Sequence, residues 1–225
     1  MSEPQPAHPR PGSSVQPRVS PLEPAQRTEE QCQLLAGIWG DDVPNLFSTV
    51  ARHPALFRAW MPFCMQLLAH SVFPPREREL LIIRTASLCG SAYELEHHLR
   101  LGAEVGLSDR DLAALTGGGP PDWTPREQLL VAAADELHAN HAISDATWRG
   151  LSALLTTEQL VELPMLVGHY VLLAGTLRSL GVPLESEQIA RTLSSISRSA
   201  LSRPNPTIPS KSDQVKGGHH PCASE

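Results

Sequence analysis

Between residues 29 and 190, apolar residues recur almost everywhere at the spacing of an α-helix, and no convincing alternating run of a β-strand appears. Residues Thr124 to Glu127 form a capping-box pattern with proline at the first helical position, which marks a helix start. Glycines such as Gly106 and Gly181 fall where helices should end. These signals predict an all-α fold, a single-domain bundle of about six to eight helices over residues 29–190.

The two ends of the chain differ in composition from this helical part. Prolines recur at positions 4, 6, 9, 11, 17, 21 and 24, with few large apolar residues between them, which predicts a disordered arm over residues 1–28. Residues 191–225 are rich in serine and proline and predict a second disordered tail. We expect His219 and His220 in that tail to be solvated rather than to bind a metal.

Composition and charge exclude several classes of function. The net charge is −6 and the basic residues are scattered, so nothing favours nucleic acid or an anionic membrane as a partner. No apolar run approaches the roughly 20 residues that cross a bilayer, and the proline-rich start is not a signal peptide. The four cysteines lie far apart without a C-x-x-C pair, which is typical of a reducing compartment. We expect a cytoplasmic protein with no membrane partner.

Polar residues interrupt an apolar helical stripe that begins at Ser91. At about 100° per residue, Ser91, Glu94 and His98 share the face that carries Leu95 and the other apolar residues of this stretch. His97 points to the flank of the same helix, so we expect it at the surface. A serine, a carboxylate and an imidazole on one inward face are candidates for acid/base chemistry. They are equally compatible with a buried structural network, because buried polar groups hydrogen-bond one another.

The preceding helix carries a second inward carboxylate. Glu79 shares a face with Ile82 and Ile83, and desolvation by such neighbours is expected to raise the pKa of its carboxyl. If the two helices pack as an antiparallel hairpin, Glu79 approaches the face of Glu94 and His98.

Other polar residues in the helical part have a simpler interpretation. We expect Cys89 to be a small buried residue and Tyr93 to be an aromatic at the edge of the core, with its hydroxyl at water. His138 and His169 lie among apolar residues and are expected to be packing histidines, although either could line a pocket.

Residues 76–98 carry a family resemblance. An R-E-R-E-L start, an L-C-G-x-x-Y-E segment and a histidine four residues after the glutamate resemble the signature of the carboxymuconolactone decarboxylase family. Weaker echoes cover residues 45–184: Asn45-Leu46-Phe47, His53-Pro54, Gly106-Leu107-Ser108, Asp135-Glu136-Leu137-His138 and Gly168-His169-Tyr170. The resemblance implies an all-α fold that assembles into trimers or hexamers, with pockets near the subunit contacts.

That family contains two chemistries, and the resemblance favours one of them. The alkyl hydroperoxidase D branch uses a C-x-x-C pair, a following histidine and an upstream glutamate. Aligned on His98, its cysteine positions fall on Ser91 and Glu94, and its glutamate falls on Glu79. A two-thiol cycle cannot run on a serine and a carboxylate. The segment around Tyr93 instead resembles the decarboxylase-like branch, which lacks the cysteine pair.

The resemblance therefore implies a carboxy-lyase that performs general acid/base chemistry on a small carboxylated or lactone-like molecule, in aromatic or secondary metabolism, with neither cofactor nor metal. His98 would be the general acid or electrostatic stabiliser, and Glu79 and Glu94 would tune it and shuttle the proton. Expected substrate-binding residues are Ser91, Tyr93 and His169. Two alternatives stay open: a peroxidase that uses Cys89, and a non-catalytic oligomeric ligand-binding protein.

Overall fold

A computed structural model describes residues 16–39 and 43–185. Within these ranges the chain forms one short 3-10 helix and nine α-helices, without a β-strand, which confirms the all-α fold. The α-helices are α1 (Glu29–Trp39), α2 (Asn45–Val50), α3 (Pro54–Ala69), α4 (Pro75–Leu88), α5 (Ala92–Glu104), α6 (Asp109–Leu115), α7 (Pro125–Asn140), α8 (Asp145–Ser152) and α9 (Thr157–Leu180). Their number exceeds the expected six to eight because segments as short as the six residues of α2 are helical.

The second half of the expected N-terminal arm lies against the helices. The backbone N–H groups of Arg18 and Val19 donate to the carbonyl of Leu180 at the end of α9, at 2.9 and 3.1 Å. Leu22 is buried in the core, and its N–H donates to the carbonyl of Ser48. The rest of the arm and the tail over residues 191–225, with His219 and His220, lie outside the described residues.

Helix starts and ends follow the local signals in the sequence. The predicted capping box at Thr124 is present, and its hydroxyl accepts from the N–H of Glu127. Thr156 forms the same arrangement with Gln159 at the start of α9. At the end of α9, Gly181 adopts φ +64°, a left-handed conformation that a residue without a Cβ adopts at little cost.

Helix α4 occupies the middle of the fold. The side chains of residues 80–83 have no exposed surface, and the helix packs against α5, α7 and α9. Ion pairs hold its N-terminal turn against α7: Arg126 chelates Glu77 at 2.8 and 2.9 Å, and Arg76 bonds Glu127 at 2.7 Å. Any side chain that α4 carries inward is therefore held in a rigid setting.

Helix α9 is the longest element, and it is apolar enough to cross a membrane by length and composition alone. About 44% of its most apolar window is buried inside the fold, against α3, α4, α7 and α8. Buried helices of globular proteins pass the same test, so this helix is weak evidence for a membrane span. Among the described residues it is the single helix that passes.

Candidate functional site

Helices α4 and α5 form a hairpin. The chain reverses at Gly90, which has φ +60°, and the N–H of Ser91 donates to the carbonyl of Ala86 at 2.9 Å. As a result Glu79, near the start of α4, lies opposite His98 in the middle of α5. This is the approach of the two helices that the inward faces predicted.

The Glu79 carboxylate joins an arginine to an imidazole. Its Oε2 lies 2.7 Å from Nδ1 of His98, and its Oε1 accepts two hydrogen bonds from Arg78, at 2.9 and 3.1 Å. Glu79 is completely buried and Arg78 is 5% exposed. Because Nδ1 of His98 is engaged by Glu79, Nε2 is the ring nitrogen left to face the pocket described below.

The expected rise in the pKa of Glu79 is wrong. Burial does raise this pKa, but the charges and hydrogen bonds of His98 and Arg78 together outweigh it, and the pKa of Glu79 lies below its ordinary value. The sequence analysis placed His98 near Glu79 but weighed only the apolar neighbours in its pKa, and it did not show that the adjacent Arg78 turns its guanidinium onto the same carboxylate.

Beside this pair lies a pocket between α2, α3, α5 and α9. Its volume of about 90 Å³ is several times the roughly 10–15 Å³ that one water requires. Most of the lining is apolar, and the polar side chains among it come mainly from α5. The lining residues are Pro44, Leu46, Phe47, Cys64, Leu68, Tyr93, Glu94, His97, His98, Leu101, Tyr170 and Leu173. A mostly apolar pocket with a few convergent polar groups is a typical small-molecule site.

Glu94 is the second carboxyl of this site, and it has no counter-charge. It is 3% exposed, and neither of its oxygens has a hydrogen-bond partner among the described residues. Burial raises its pKa to about 8, although the nearby Ser91 hydroxyl opposes the rise. At neutral pH, Glu94 is therefore mainly a neutral acid at the wall of the pocket.

Tyr170 and Cys64 complete the inner wall, and sequence reasoning did not select either. The Tyr170 ring meets the His98 ring edge-on, with centroids 5.2 Å apart. Cys64 is 5% exposed, and burial raises the pKa of its thiol to about 12. Both residues lie on regular apolar stripes of α9 and α3, so only the packing of those helices against α5 identifies them.

His97 is half-buried, with 21% of its side chain exposed, whereas the sequence predicted a surface position. Its Nε2 lies 2.6 Å from Oε2 of Glu185, and its ring packs on Tyr93 with centroids 4.7 Å apart. Tyr93, expected to have its hydroxyl at water, donates that hydroxyl to Oε1 of Glu185 and accepts from the N–H of Leu46. The flank of α5 is partly covered because the chain after α9 returns across it, a contact that helical periodicity does not reveal.

Two of the expected substrate-binding residues do not line the pocket. Ser91 is buried at the start of α5, where its hydroxyl caps no backbone N–H. His169 packs between Trp60 and Phe63, at centroid distances of 6.1 and 5.3 Å. Burial lowers the pKa of His169 to about 4, which is typical of a neutral packing histidine.

Cys89 ends α4 away from the pocket lining. Its Sγ lies 3.7 Å from Nδ1 of His138. Burial and the charge of Glu94 raise the pKa of its thiol, and Arg178 opposes this only partly. Within residues 16–39 and 43–185, no group of three or more His, Cys, Asp or Glu side chains is arranged to hold a metal ion.

The fold has counterparts among solved structures. A cysteine-to-alanine variant of the debrominase Bmp8, in complex with 2,3,4-tribromopyrrole, aligns with a TM-score of 0.63 and 16% identity over 79% of this chain and 96% of that one. An uncharacterised peroxidase-related protein from Ralstonia eutropha, described as an alkylhydroperoxidase AhpD core, aligns with a TM-score of 0.62 and 20% identity over 82% of this chain and 96% of that one. At these identities the likeness shows the fold alone.

The model of the carboxymuconolactone decarboxylase family matches residues 54–136. This segment runs from the start of α3 into α7, and it contains Glu79, Glu94 and His98. No curated protein matches the chain. Residues 54–136 thus match the carboxymuconolactone decarboxylase family model, and the fold of the described residues is similar to that of the alkyl hydroperoxidase D-like proteins.

Proposed function

We propose that this protein is a carboxy-lyase that removes CO2 from a small carboxylated or lactone-like molecule, with proton transfer by its own side chains. One observation carries the proposal: a buried carboxyl without a counter-charge, Glu94, faces the same pocket as an imidazole that is held by a buried carboxylate. The match of residues 54–136 to the carboxymuconolactone decarboxylase family model agrees with it.

In this proposal Glu94 is the proton donor. When the C–C bond to the departing carboxylate breaks, its electron pair passes into an adjacent carbonyl and forms an enolate. The proton of Glu94 then goes to the carbon that lost CO2, and the enolate collapses to the carbonyl. An acid with a pKa of about 8 keeps its proton at neutral pH and still releases it to a carbon as basic as an enolate.

His98 stabilises the enolate. Glu79 holds the ring at Nδ1, so that Nε2 can direct a hydrogen bond to the enolate oxygen in a mostly apolar pocket. Arg78 and Glu79 act as positioning residues, because Arg78 keeps the buried carboxylate charged and oriented towards the imidazole. Water that enters the pocket after product release returns the proton to Glu94.

Thiol chemistry is less well supported. The pocket thiol, Cys64, has a pKa near 12, and the pKa of Cys89 is also raised, so neither is a ready thiolate. We therefore consider a peroxidase activity less well supported than acid/base catalysis. A cytoplasmic location and a role in aromatic or secondary metabolism remain part of the proposal.

The test is a panel of carboxylated lactones and enoic acids, incubated with the full chain and followed by mass spectrometry for loss of CO2. His98→Gln and Glu94→Gln should each lower turnover by at least a hundredfold. Glu96→Gln, at an exposed position on the opposite side of α5, is the matched control and should leave turnover unchanged. Circular dichroism should show the same helix content in all variants.

Two results would overturn the proposal. Wild-type turnover by His98→Gln would remove the imidazole from the chemistry. A ligand that binds the wild-type pocket and is released unchanged would favour the non-catalytic binding protein.

A further inference from the structure

The Glu185 carboxylate lies beside the pocket, and both of its oxygens have polar partners. Its Oε1 accepts from the N–H of Asn45 at 2.7 Å and from the hydroxyl of Tyr93 at 2.5 Å, and its Oε2 lies 2.6 Å from Nε2 of His97. The side chain is 2% exposed. We call these three partners, Asn45, Tyr93 and His97, the Glu185 site.

The Glu185 site and the pocket share walls. Tyr93 and His97 line the pocket, and Asn45 stands between two further lining residues, Pro44 and Leu46. On α5, Tyr93 and His97 form one row at i and i+4, and Glu94 and His98 form the row next to it, one residue further along. A ligand that lies across these two rows can reach both the Glu185 site and the proposed catalytic pair.

The segment that delivers Glu185 is not part of a helix. Helix α9 ends at Leu180, and residues 182–185 run on without helical hydrogen bonds. Besides the bonds of Glu185, two hydrogen bonds and one apolar contact hold this segment among the described residues. The N–H of Val182 donates to the carbonyl of Leu177, the Asn45 side chain donates to the carbonyl of Pro183 at 3.0 Å, and Val182 packs against the core. Leu184 is half exposed. Short extended segments with few contacts open at lower free energy than packed helices do.

The geometry points to a carboxylate-binding subsite that the chain fills with its own Glu185, which competes with the carboxylate of a small acidic ligand. The inference rests on the proposed function only in taking a small acid as the ligand. A tethered group competes at an effective concentration on the order of millimolar or higher, so Glu185 weakens the binding of a free carboxylate without any change in the pocket itself.

Electrostatics support this occupancy. Burial raises the pKa of Glu185, but hydrogen bonds from His97 and Tyr93 and the charge of His97 together bring it below its ordinary value. Glu185 is thus an anion at neutral pH, and the Glu185 site satisfies an anion although it is almost closed to water. No arginine or lysine contributes to it among the described residues.

The experiment uses acetate as the probe, because acetate replaces the atoms that Glu185→Ala removes. The full chain is titrated with acetate, and the imidazole resonances of His97 are followed by NMR. In Glu185→Ala the titration should saturate, with affinity at least tenfold tighter than in wild type. Acetamide, which has the same shape without the charge, should produce no saturable shift. Glu96→Ala, the control at an exposed position of α5, should behave as wild type.

Further variants test whether Glu185 fills a carboxylate-binding subsite or only stabilises the fold. His97→Gln in the Glu185→Ala background should remove the gain in acetate affinity. Glu185→Gln keeps the size of the side chain and loses its charge, so it should give an intermediate affinity and serves if the alanine variant is unstable. Equal acetate affinity in wild type and in both Glu185 variants overturns the inference.

Failure here is distinct from failure of the proposed function. Acetate binding is an equilibrium measurement and needs no turnover. Glu94→Gln should leave acetate binding to Glu185→Ala unchanged, whereas it should stop decarboxylation. If Glu94 and His98 control turnover but acetate does not bind, the catalytic proposal is supported and the subsite is refuted. If acetate binds but no substrate is turned over, the subsite is supported and the catalytic proposal is refuted.

Discussion

Nδ1 of His98 lies 2.7 Å from Oε2 of Glu79, and the same carboxylate accepts both hydrogen bonds that Arg78 donates. One buried anion thus serves two cationic or cation-forming groups on consecutive helices. The arrangement stabilises the fold and orients the imidazole at once, so substitutions of Glu79 should change both stability and pH dependence.

Glu79→Gln should lower the free energy of unfolding by about 3–5 kcal/mol, because it leaves the buried Arg78 guanidinium without its counter-charge. Urea denaturation at neutral pH measures this loss. Glu96→Gln removes an exposed ion pair with Arg100 and, as the control, should change stability by under about 1 kcal/mol. A similarly small change for Glu79→Gln would contradict the prediction.

Glu79 should also make the wild-type protein sensitive to acid. Its pKa in the fold lies below the ordinary 4.5, so its stabilising contribution is complete above that value. The contribution is lost as the pH falls from 4.5 through the lowered pKa in the folded chain. Urea midpoints of wild type should therefore drop over that range more steeply than those of Glu79→Gln, and parallel curves for the two proteins would refute this.

Glu94 should have the opposite effect on stability. Its pKa of about 8 in the fold lies above the ordinary 4.5, so the folded chain holds a proton that the unfolded chain releases between these values. Stability contributed by this group falls as the pH rises through that interval, by an amount on the order of a few kcal/mol. Glu94→Gln should abolish this decline, and unfolding curves at about pH 5 and about pH 9 measure it. A wild-type decline that persists in the variant would assign it to another group.

Gly102 should tolerate a side chain poorly. A Cβ at this position of α5 would lie 2.7 Å from Cδ1 of Ile83 and 2.9 Å from Cδ1 of Leu107, so Gly102→Ala should lose about 1–3 kcal/mol of stability through overpacking. Gly168 on α9 has nothing within 4 Å of a Cβ. Gly168→Ala is the control and should gain up to about 1 kcal/mol from helix propensity. Thermal unfolding of both variants checks the contrast, and equal effects would contradict it.

Cys89 should stay a free thiol in mild peroxide, because burial and the charge of Glu94 raise its pKa. Mass spectrometry of peptides after peroxide treatment reads this directly, with urea-unfolded protein as the reactive control. Cys89→Ser should keep wild-type turnover. Rapid oxidation of Cys89 in the folded chain would restore the peroxidase alternative.

Helix α9 should mediate self-association. Val161, Met165 and Leu172 are each at least half exposed and lie on one face of the helix. Gly168 lies on the same face, and because it has no side chain it leaves room for a second helix to pack closely. The helix is acidic in its first turn and carries Arg178 in its last, so an antiparallel second copy would bring opposite charges together. Light scattering should give a mass above that of one chain. Leu172→Glu should reduce it, whereas Leu184→Glu, an equally exposed position beyond α9, should not.

The sequence predicts the inward-facing part of the site well. A helical period of about 100° per residue places Glu94 and His98 on one face, and the apolar neighbours of Glu79 turn it inward; both placements depend only on residues a few positions away. The wrong predictions concern the pKa of Glu79 and the exposure of His97. For Glu79, periodicity brought His98 near but could not show the orientation of the Arg78 guanidinium, and for His97 it could not show the contact with Glu185, which depends on a return of the chain.

The same reasoning explains which residues were missed. Cys64 and Tyr170 sit on ordinary apolar stripes, and nothing in those stripes distinguishes a pocket wall from a filled core. Glu185 comes 88 residues after His97, and its position depends on how α9 ends and where the chain returns. Ser91 was selected because it shares the inward face of α5, and His169 because a histidine among apolar residues could line a pocket, but neither belongs to the pocket lining.

Helix α4 has no solvent-facing side between residues 80 and 83, and this has a consequence for how the protein can diversify. Glu79 directly precedes this fully enclosed stretch of α4, whereas one wall of the pocket comes from the six-residue α2 and the residue before it, Pro44. Selection for a new ligand should therefore accumulate substitutions in this wall. Glu79, Glu94 and His98 would then remain unchanged while the substrate specificity changes.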